Sequence, residues 1–301
     1  MASMIPVIEQ IIMMFGIATV GFYLRQRQIM SDQVIKGVNF ILLQVAWPCM
    51  IITATQKEFG ADTVPNFLRI LIVTIAILAG MCLILYWISR KHTIHSRSSA
   101  FSALSVLPNA GFVGLPIIKA IYGDQGVFYL SAVIVGFNLV VWTVCVFLYT
   151  SFSRKTLKAV INIGFIASII GTALLLFHIT LPNFILSFTT QLGNLTTPLA
   201  MLLLGARLRQ VTKHLLIDKM IWFSSLIKLV CMPLLTLIVT HFLNLNNMLV
   251  GIAVLSMGMP SASVVQLFAE KYDGDVSFSV TGVSLSTLFC TITLPIILLM
   301  I

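Results

Sequence analysis

The sequence predicts an all-α integral membrane protein of ten transmembrane helices, built as two inverted five-helix repeats in which helices four and nine are broken. Three observations lead there. Of the 301 residues 59% are hydrophobic and 9% charged, and the mean hydropathy is +1.06, whereas a soluble domain carries roughly 25% charged residues. Apolar runs recur along the chain, each about as long as the ~20 residues that cross a hydrocarbon core. Finally, features of the first half recur about 150 residues later.

Charge clusters, turn residues and caps divide the chain into spans. Span one (5–24) is closed by Arg25 and Arg27; with no basic leader and no small-residue cleavage site, it reads as a retained helix. Span two (34–55) carries Asn39, Gln44 and Pro48, and span three (66–89) stops at Arg90 and Lys91. Span four (98–121) contains the run Pro-Asn-Ala-Gly-Phe-Val-Gly-Leu-Pro from Pro108 to Pro116. Span five (126–150) holds Asn138 and precedes Arg154, Lys155 and Lys158. Span six (159–179) is followed by span seven (184–206), with Gln191, Asn194, Thr196, Thr197 and Pro198. Span eight (216–242) contains Lys228, span nine (247–270) reads Ser-Met-Gly-Met-Pro-Ser-Ala-Ser from Ser256 to Ser263, and span ten (276–300) completes the set.

The loops after spans one, three, five and seven hold 13 of the 18 Lys and Arg residues. Basic loops are retained on the cytoplasmic side, so the odd loops are expected inside and both termini outside a cell membrane. The same clustering explains the net charge of +9: the basic residues are a topology signal, the partner is the lipid bilayer, and nucleic acid is not expected. The five cysteines lie inside apolar runs without a C-x-x-C pair, which argues against disulfides and metal sites. No cofactor motif, ATP-binding motif or hydrolase signature is present, so no enzyme is expected.

Pro48 corresponds to Pro198, Leu104-Ser105 to Leu255-Ser256, Tyr122 to Tyr272, and Gly123-Asp124 to Gly274-Asp275. The repeats are therefore 1–150 and 151–301. Each holds five crossings, an odd number, so the second enters the membrane from the opposite side; inverted halves give a route to alternating access around a central site.

Spans four and nine cannot be regular helices throughout. Pro108, Pro116 and Pro260 lack backbone donors and clash with the preceding turn, and Gly111, Gly114 and Gly258 weaken a helix by ~1 kcal/mol each. Freed backbone groups in hydrocarbon cost several kcal/mol unless buried in protein or facing a cavity, so paired breaks belong at a site. Asn109, Ser261 and Ser263 stand there, with Ser256 and Gln266 close by. Half-helix N-termini favour an anion by roughly 0.3–1 kcal/mol each. Lys228, which costs about 2.5–3.5 kcal/mol on insertion scales, either faces the interior as a cation or snorkels to the membrane edge; its counterpart in the first half is Leu78. Glu9 is either a proton site or an interfacial carboxylate.

The run PNAGFVGLPI at 108–117, the following IYGD at 121–124, Lys228 with Pro233 in span eight, and STLFCTITLP at 286–295 resemble the auxin efflux carrier family. That family includes bacterial malate and malonate carriers and the plant PIN-FORMED proteins. The resemblance implies a ten-helix fold shared with bile-acid-type sodium symporters, with spans one, two, six and seven as scaffold and the others as a mobile transport domain. It also implies a substrate site at Pro108, Asn109 and Gly111 and at Pro260, Ser261 and Ser263, with Lys228 a nearby cation. The chain lacks the long middle loop of many plant members, which points to a small mono- or dicarboxylate such as malate more than to auxin. The expected function is secondary active transport of an organic anion. The alternatives are a sodium-coupled symporter of bile-acid type and a channel. H⁺ or Na⁺ is the candidate coupling ion, and a homodimer is compatible with this reading.

Overall fold

The computed structural model describes residues 4–56, 62–150, 163–208 and 217–301. Glu58, Arg154, Lys155, Lys158, Arg209 and Lys213, on which part of the loop-charge reading rests, lie outside the described residues. Those described are helical, with no strand among them.

Helix α1 (Met4–Gln26) turns at Arg25, whose guanidinium donates to the Met30 carbonyl and pairs with Asp32 at 2.6 Å. Ser31 then caps α2 (Asp32–Ala54), accepting from the Val34 N–H. A π-helical turn at Leu42–Ala46 lies just before Pro48, so α2 absorbs the proline without breaking. Next come α3 (Thr63–Arg90) and α4 (His95–Val106). After an unwound stretch and a π turn at Ala110–Gly114, helix resumes over Leu115–Val140. Gly123 divides it with φ 61° and ψ −152° into α5 (115–122) and α6 (Gln125–Tyr149). That φ lies where a Cβ is poorly tolerated, which is why a glycine makes the turn.

The second half contains α7 (Ile163–Leu176), α8 (Asn183–Asn194), α9 (Thr196–Leu208), α10 (Lys219–Phe242), α11 (Asn247–Gly258), α12 (Val264–Lys271) and α13 (Val276–Leu298). Side-chain caps start three of them: Asp218 accepts from Met220 N–H, Asn246 from Leu249 N–H and Asp275 from Phe278 N–H. The sequence predicts one continuous span over 184–206, but the helix is interrupted at Leu195. Pro198 has no N–H to offer the Asn194 carbonyl, and the Leu195 N–H tightens back onto Leu192.

Among the described residues five helices (α2, α3, α6, α10 and α13) are long and apolar enough to cross a membrane. Large apolar side chains such as Ile72, Trp87, Phe184 and Phe242 point outward, as lipid-facing residues do.

Two packing groups result. In the first, α1 lies against α9 with backbones in contact: a Cβ on Gly21 would overlap the Leu202 carbonyl, and one on Gly205 the Ala18 carbonyl. Small residues permit such approach where lipid supplies no hydrophobic drive. Helix α2 packs on α7 and α8, where Gly193 meets the Met50 backbone and Thr53 donates to Thr189 Oγ1 at 3.1 Å. In the second group, α4 is enclosed by α3, α6, α10 and α13. Its Ser98, Ser99, Ser102 and Ser105 are all fully buried; Ser99 donates to the Leu148 carbonyl and Ser102 to the Cys82 carbonyl, each at 2.6 Å. An Arg97–Asp218 ion pair joins the starts of α4 and α10, with Arg97 also over the Phe278 ring.

Candidate functional site in the crossing of two broken helices

Helix α4 ends at Val106 and α11 at Gly258, each just ahead of a proline, and the unwound segments that follow meet. The Asn109 N–H donates to the Pro260 carbonyl at 2.8 Å, and the Ala262 N–H to the Leu107 carbonyl at 2.9 Å. These bonds make an isolated antiparallel bridge between Pro108 and Ser261. Each broken helix thus supplies donors that the other lost.

The remaining orphans are satisfied by side chains. In a regular helix the Leu104 carbonyl would accept from residue 108, but Pro108 has no N–H. The Ser261 hydroxyl donates to it instead, at 2.7 Å across the crossing. The Met257 carbonyl would accept from the Ser261 N–H, which is turned to Ser286 Oγ at 3.1 Å. Lys228 Nζ fills that vacancy, donating to Met257 O at 2.6 Å. Lys228 is fully buried on a π turn at Ile227–Cys231, with Ser224 and Ser225 buried one turn earlier. It therefore does not snorkel. Its Nζ sits at the C-terminal end of α11, where a helix dipole favours a donor or positive charge.

Beside the crossing lies a cavity of about 400 Å³. Asn39, Gln44, Asn109, Asn138 and Ser263 give it four amides and a hydroxyl, and Trp47, Phe137, Trp142 and Phe268 give it aromatic walls. Ala262, Ser263 and Val264 bring the N-terminus of α12 to its wall, while Glu270 and Lys271 also line it. The cavity offers N–H donors and positive helix-end potential to a solute with an anionic head and an apolar body.

A second cavity, of about 580 Å³, lies at the other end of α2. The first is lined by Asn39 to Trp47 of α2 and by Phe137 to Trp142 of α6; the second by Met50 to Ala54 of α2, by Gln56 just beyond it and by Val127 of α6. On α2 only one turn, Trp47 to Met50, separates them. Gly111 closes the gap: a Cβ there would lie 2.8 Å from the Trp47 indole.

The comparison with known proteins decides the class. The membrane transport protein family matches residues 6–160 and 151–298. The chain belongs to this family, the auxin efflux carriers. This auxin efflux carrier family member is similar to proteins described as uncharacterized transporters along nearly their full length. One from Methanocaldococcus jannaschii is 21% identical over 308 residues, 97% of this chain and 98% of the relative. Another from Methanothermobacter thermautotrophicus is 23% identical, with 96% of each covered. The YfdV transporter of Escherichia coli K12 is 22% identical, with 93% of each covered.

Of the residues singled out from the sequence of this family member, Pro108 and Asn109 and the Pro260–Ser263 segment meet at the crossing. Asn109 and Ser263 line the first cavity, as do Asn39, Gln44 and Asn138. Ser261 is 1% exposed and spent on the Leu104 carbonyl, Gly111 seats Trp47, and Lys228 lines neither cavity. Glu9 is exposed. Among the described residues no three His, Cys, Asp or Glu side chains gather as a metal cluster. The sequence reading passed over Trp47, Trp142 and Phe268, because aromatics in apolar spans carry no periodic mark. It also passed over Lys119 and Gln56. Lys119 did carry a signal, a lysine near the end of span four opposite to the basic loops.

Proposed function

We propose that this chain is a ten-helix secondary carrier, two inverted five-helix repeats with a bile-acid-symporter-like arrangement, that moves a small organic anion across the cell membrane by alternating access. The observation that carries the reading is the first cavity, where four side-chain amides and the N-terminus of α12 converge beside the crossing, with Glu270 the single acidic residue among its described lining residues. Such a site selects a carboxylate by hydrogen bonding and helix-end potential. Malate, malonate and monocarboxylates of similar size are the first candidates.

Cavities at opposite ends of α2, one turn apart, are what a carrier with a thin central barrier requires. Helices α1, α2, α7, α8 and α9 would form the scaffold and the remainder the moving part. Close backbone contact at Gly21 and Gly205 suits a rigid scaffold. With both termini outside, the first cavity opens to the cytoplasm. Lys228 acts through α11: its Nζ occupies the Met257 carbonyl, the type of unwound-helix oxygen that would otherwise suit a Na⁺ ion. Transport is therefore expected to be independent of Na⁺.

The test is uptake and exchange by purified protein in proteoliposomes, using radiolabelled malate, malonate and acetate with and without gradients of Na⁺ and H⁺. Saturable uptake that persists when choline replaces Na⁺, and that falls at least tenfold in Asn109→Ala, is expected. No uptake or exchange of any of these acids would overturn the reading.

A further inference from the structure

The second cavity is not a featureless vestibule. Lys119, on the last turns of α5, lines it with an exposed ammonium that has no ion-pair partner among the described residues. Gln56 lines it as well, at the end of α2. The Gln56 Oε1 atom accepts from the Leu181 N–H at 2.7 Å. That bond fixes the amide, because only the oxygen can accept from an N–H. The Nε2 group is thereby left buried without a hydrogen-bond partner among the described residues. An unpaired buried amide N–H₂ costs about 1–3 kcal/mol, so such a group commonly marks the place of a ligand or water. Thr53, Thr190, Asn194 and Thr197 add further polar groups, and no Asp or Glu is among the described lining residues.

We infer that this cavity is a second carboxylate-binding station, in which Lys119 and the Gln56 amide hold the anionic head of the substrate on the face opposite the first cavity. The inference rests on the organic-anion reading above and adds to it a specific pair of residues and an asymmetry between the faces. A cation and a donor pair at the far end of α2 would draw the anion toward or away from the crossing once the first cavity closes. The first cavity sets Glu270 beside Lys271 among its amides, whereas this one carries Lys119 with no acidic residue among its described lining residues. The two faces are therefore expected to differ in affinity and in their response to salt.

Sided kinetics test this. Proteoliposomes of known protein orientation are assayed for [¹⁴C]malate exchange, varying malate on one face at a time, for wild type, Lys119→Gln, Lys119→Arg and Gln56→Glu. The last keeps an acceptor for the Leu181 N–H, so the local fold is retained while the two donors are replaced by a negative oxygen. Lys119→Gln and Gln56→Glu are expected to raise the apparent KM about tenfold on the second-cavity face and less than twofold on the other, with Lys119→Arg near wild type. Active variants with unchanged KM on both faces, or with equal shifts on both, would overturn the station and leave the proposed function standing. A wild type that exchanges no malate would instead overturn the small-carboxylate reading and this inference with it.

Discussion

Replacing Ser261 by alanine removes a single oxygen, and the structure sets the cost. The Ser261 hydroxyl and the Leu104 carbonyl are 2.7 Å apart, with Ser261 1% and Leu104 0% exposed. A neutral hydrogen bond contributes roughly 0.5–1.5 kcal/mol net, but a buried acceptor left unsatisfied costs roughly 1–3 kcal/mol. Hydrogen bonds between membrane helices average only about 0.6 kcal/mol, because freed groups find other partners. Leu104 has no such recourse, since its helical donor would be Pro108. Ser261→Ala should therefore destabilise the fold by about 2 kcal/mol, roughly a thirtyfold shift in the folded-to-unfolded ratio. The assay is reversible unfolding in mixed SDS micelles, followed by fluorescence of Trp47 and Trp142 beside the crossing. Pro108→Ala restores an N–H four residues after Leu104, so in that background the cost of Ser261→Ala should fall below about 1 kcal/mol. Ser263→Ala, which breaks no such bond, should cost under about 0.5 kcal/mol. An undiminished cost in the Pro108→Ala background would refute the reasoning.

Three further outcomes follow from the packing. Gly205→Ala drives a methyl into the Ala18 carbonyl, a backbone atom that cannot swing away, and should cost about 3 kcal/mol or more in the same unfolding assay. Gly111→Ala brings a Cβ to 2.8 Å from the Trp47 indole; the ring must move toward the first cavity, so transport should fall at least tenfold and tryptophan emission should shift while the fold persists. Lys228→Met deletes the donor to Met257, a hydrogen bond worth about 0.5–3 kcal/mol, but also relieves the burial of a polar amine. Its unfolding free energy should stay within about 2 kcal/mol of wild type while malate exchange falls at least tenfold.

The helices were legible because apolar length, charged ends and Ser, Asp and Asn caps all act locally. The helix starts at Asp32, Lys219, Asn247 and Val276 fall within three residues of the predicted ones. The breaks were legible as well, because Pro108 and Pro260 remove donors whatever surrounds them. What a proline does not reveal is which group replaces the missing bond. Ser261 reaching Leu104 spans 157 residues of sequence, and Lys228 reaching Met257 joins two different helices. The sequence leaves Lys228 either an interior cation or a lysine that snorkels to the membrane edge, and only the packing of α10 against α11 aims it at a carbonyl. The break at Leu195 escaped because Pro198 was matched to Pro48, which a π turn absorbs; identical prolines differ in outcome when the neighbouring turn can widen. Gln56 was invisible for a similar reason, since its orphaned amide exists only once Leu181 has taken its oxygen.

The bridge between Pro108 and Ser261 also imposes an order on biogenesis. When the first half of the chain has entered the membrane, the Leu104 and Leu107 carbonyls and the Asn109 N–H have no protein partners, because all three lie on residues near 260. At roughly 5–20 residues per second of synthesis, the 157 residues between Leu104 and Ser261 correspond to between about 8 and 30 s. For that interval span four must stay partly hydrated, lean on the insertion machinery or borrow donors from lipid headgroups. A first half expressed alone should be a substrate for membrane proteases, and supplying the second half as a separate polypeptide should rescue it.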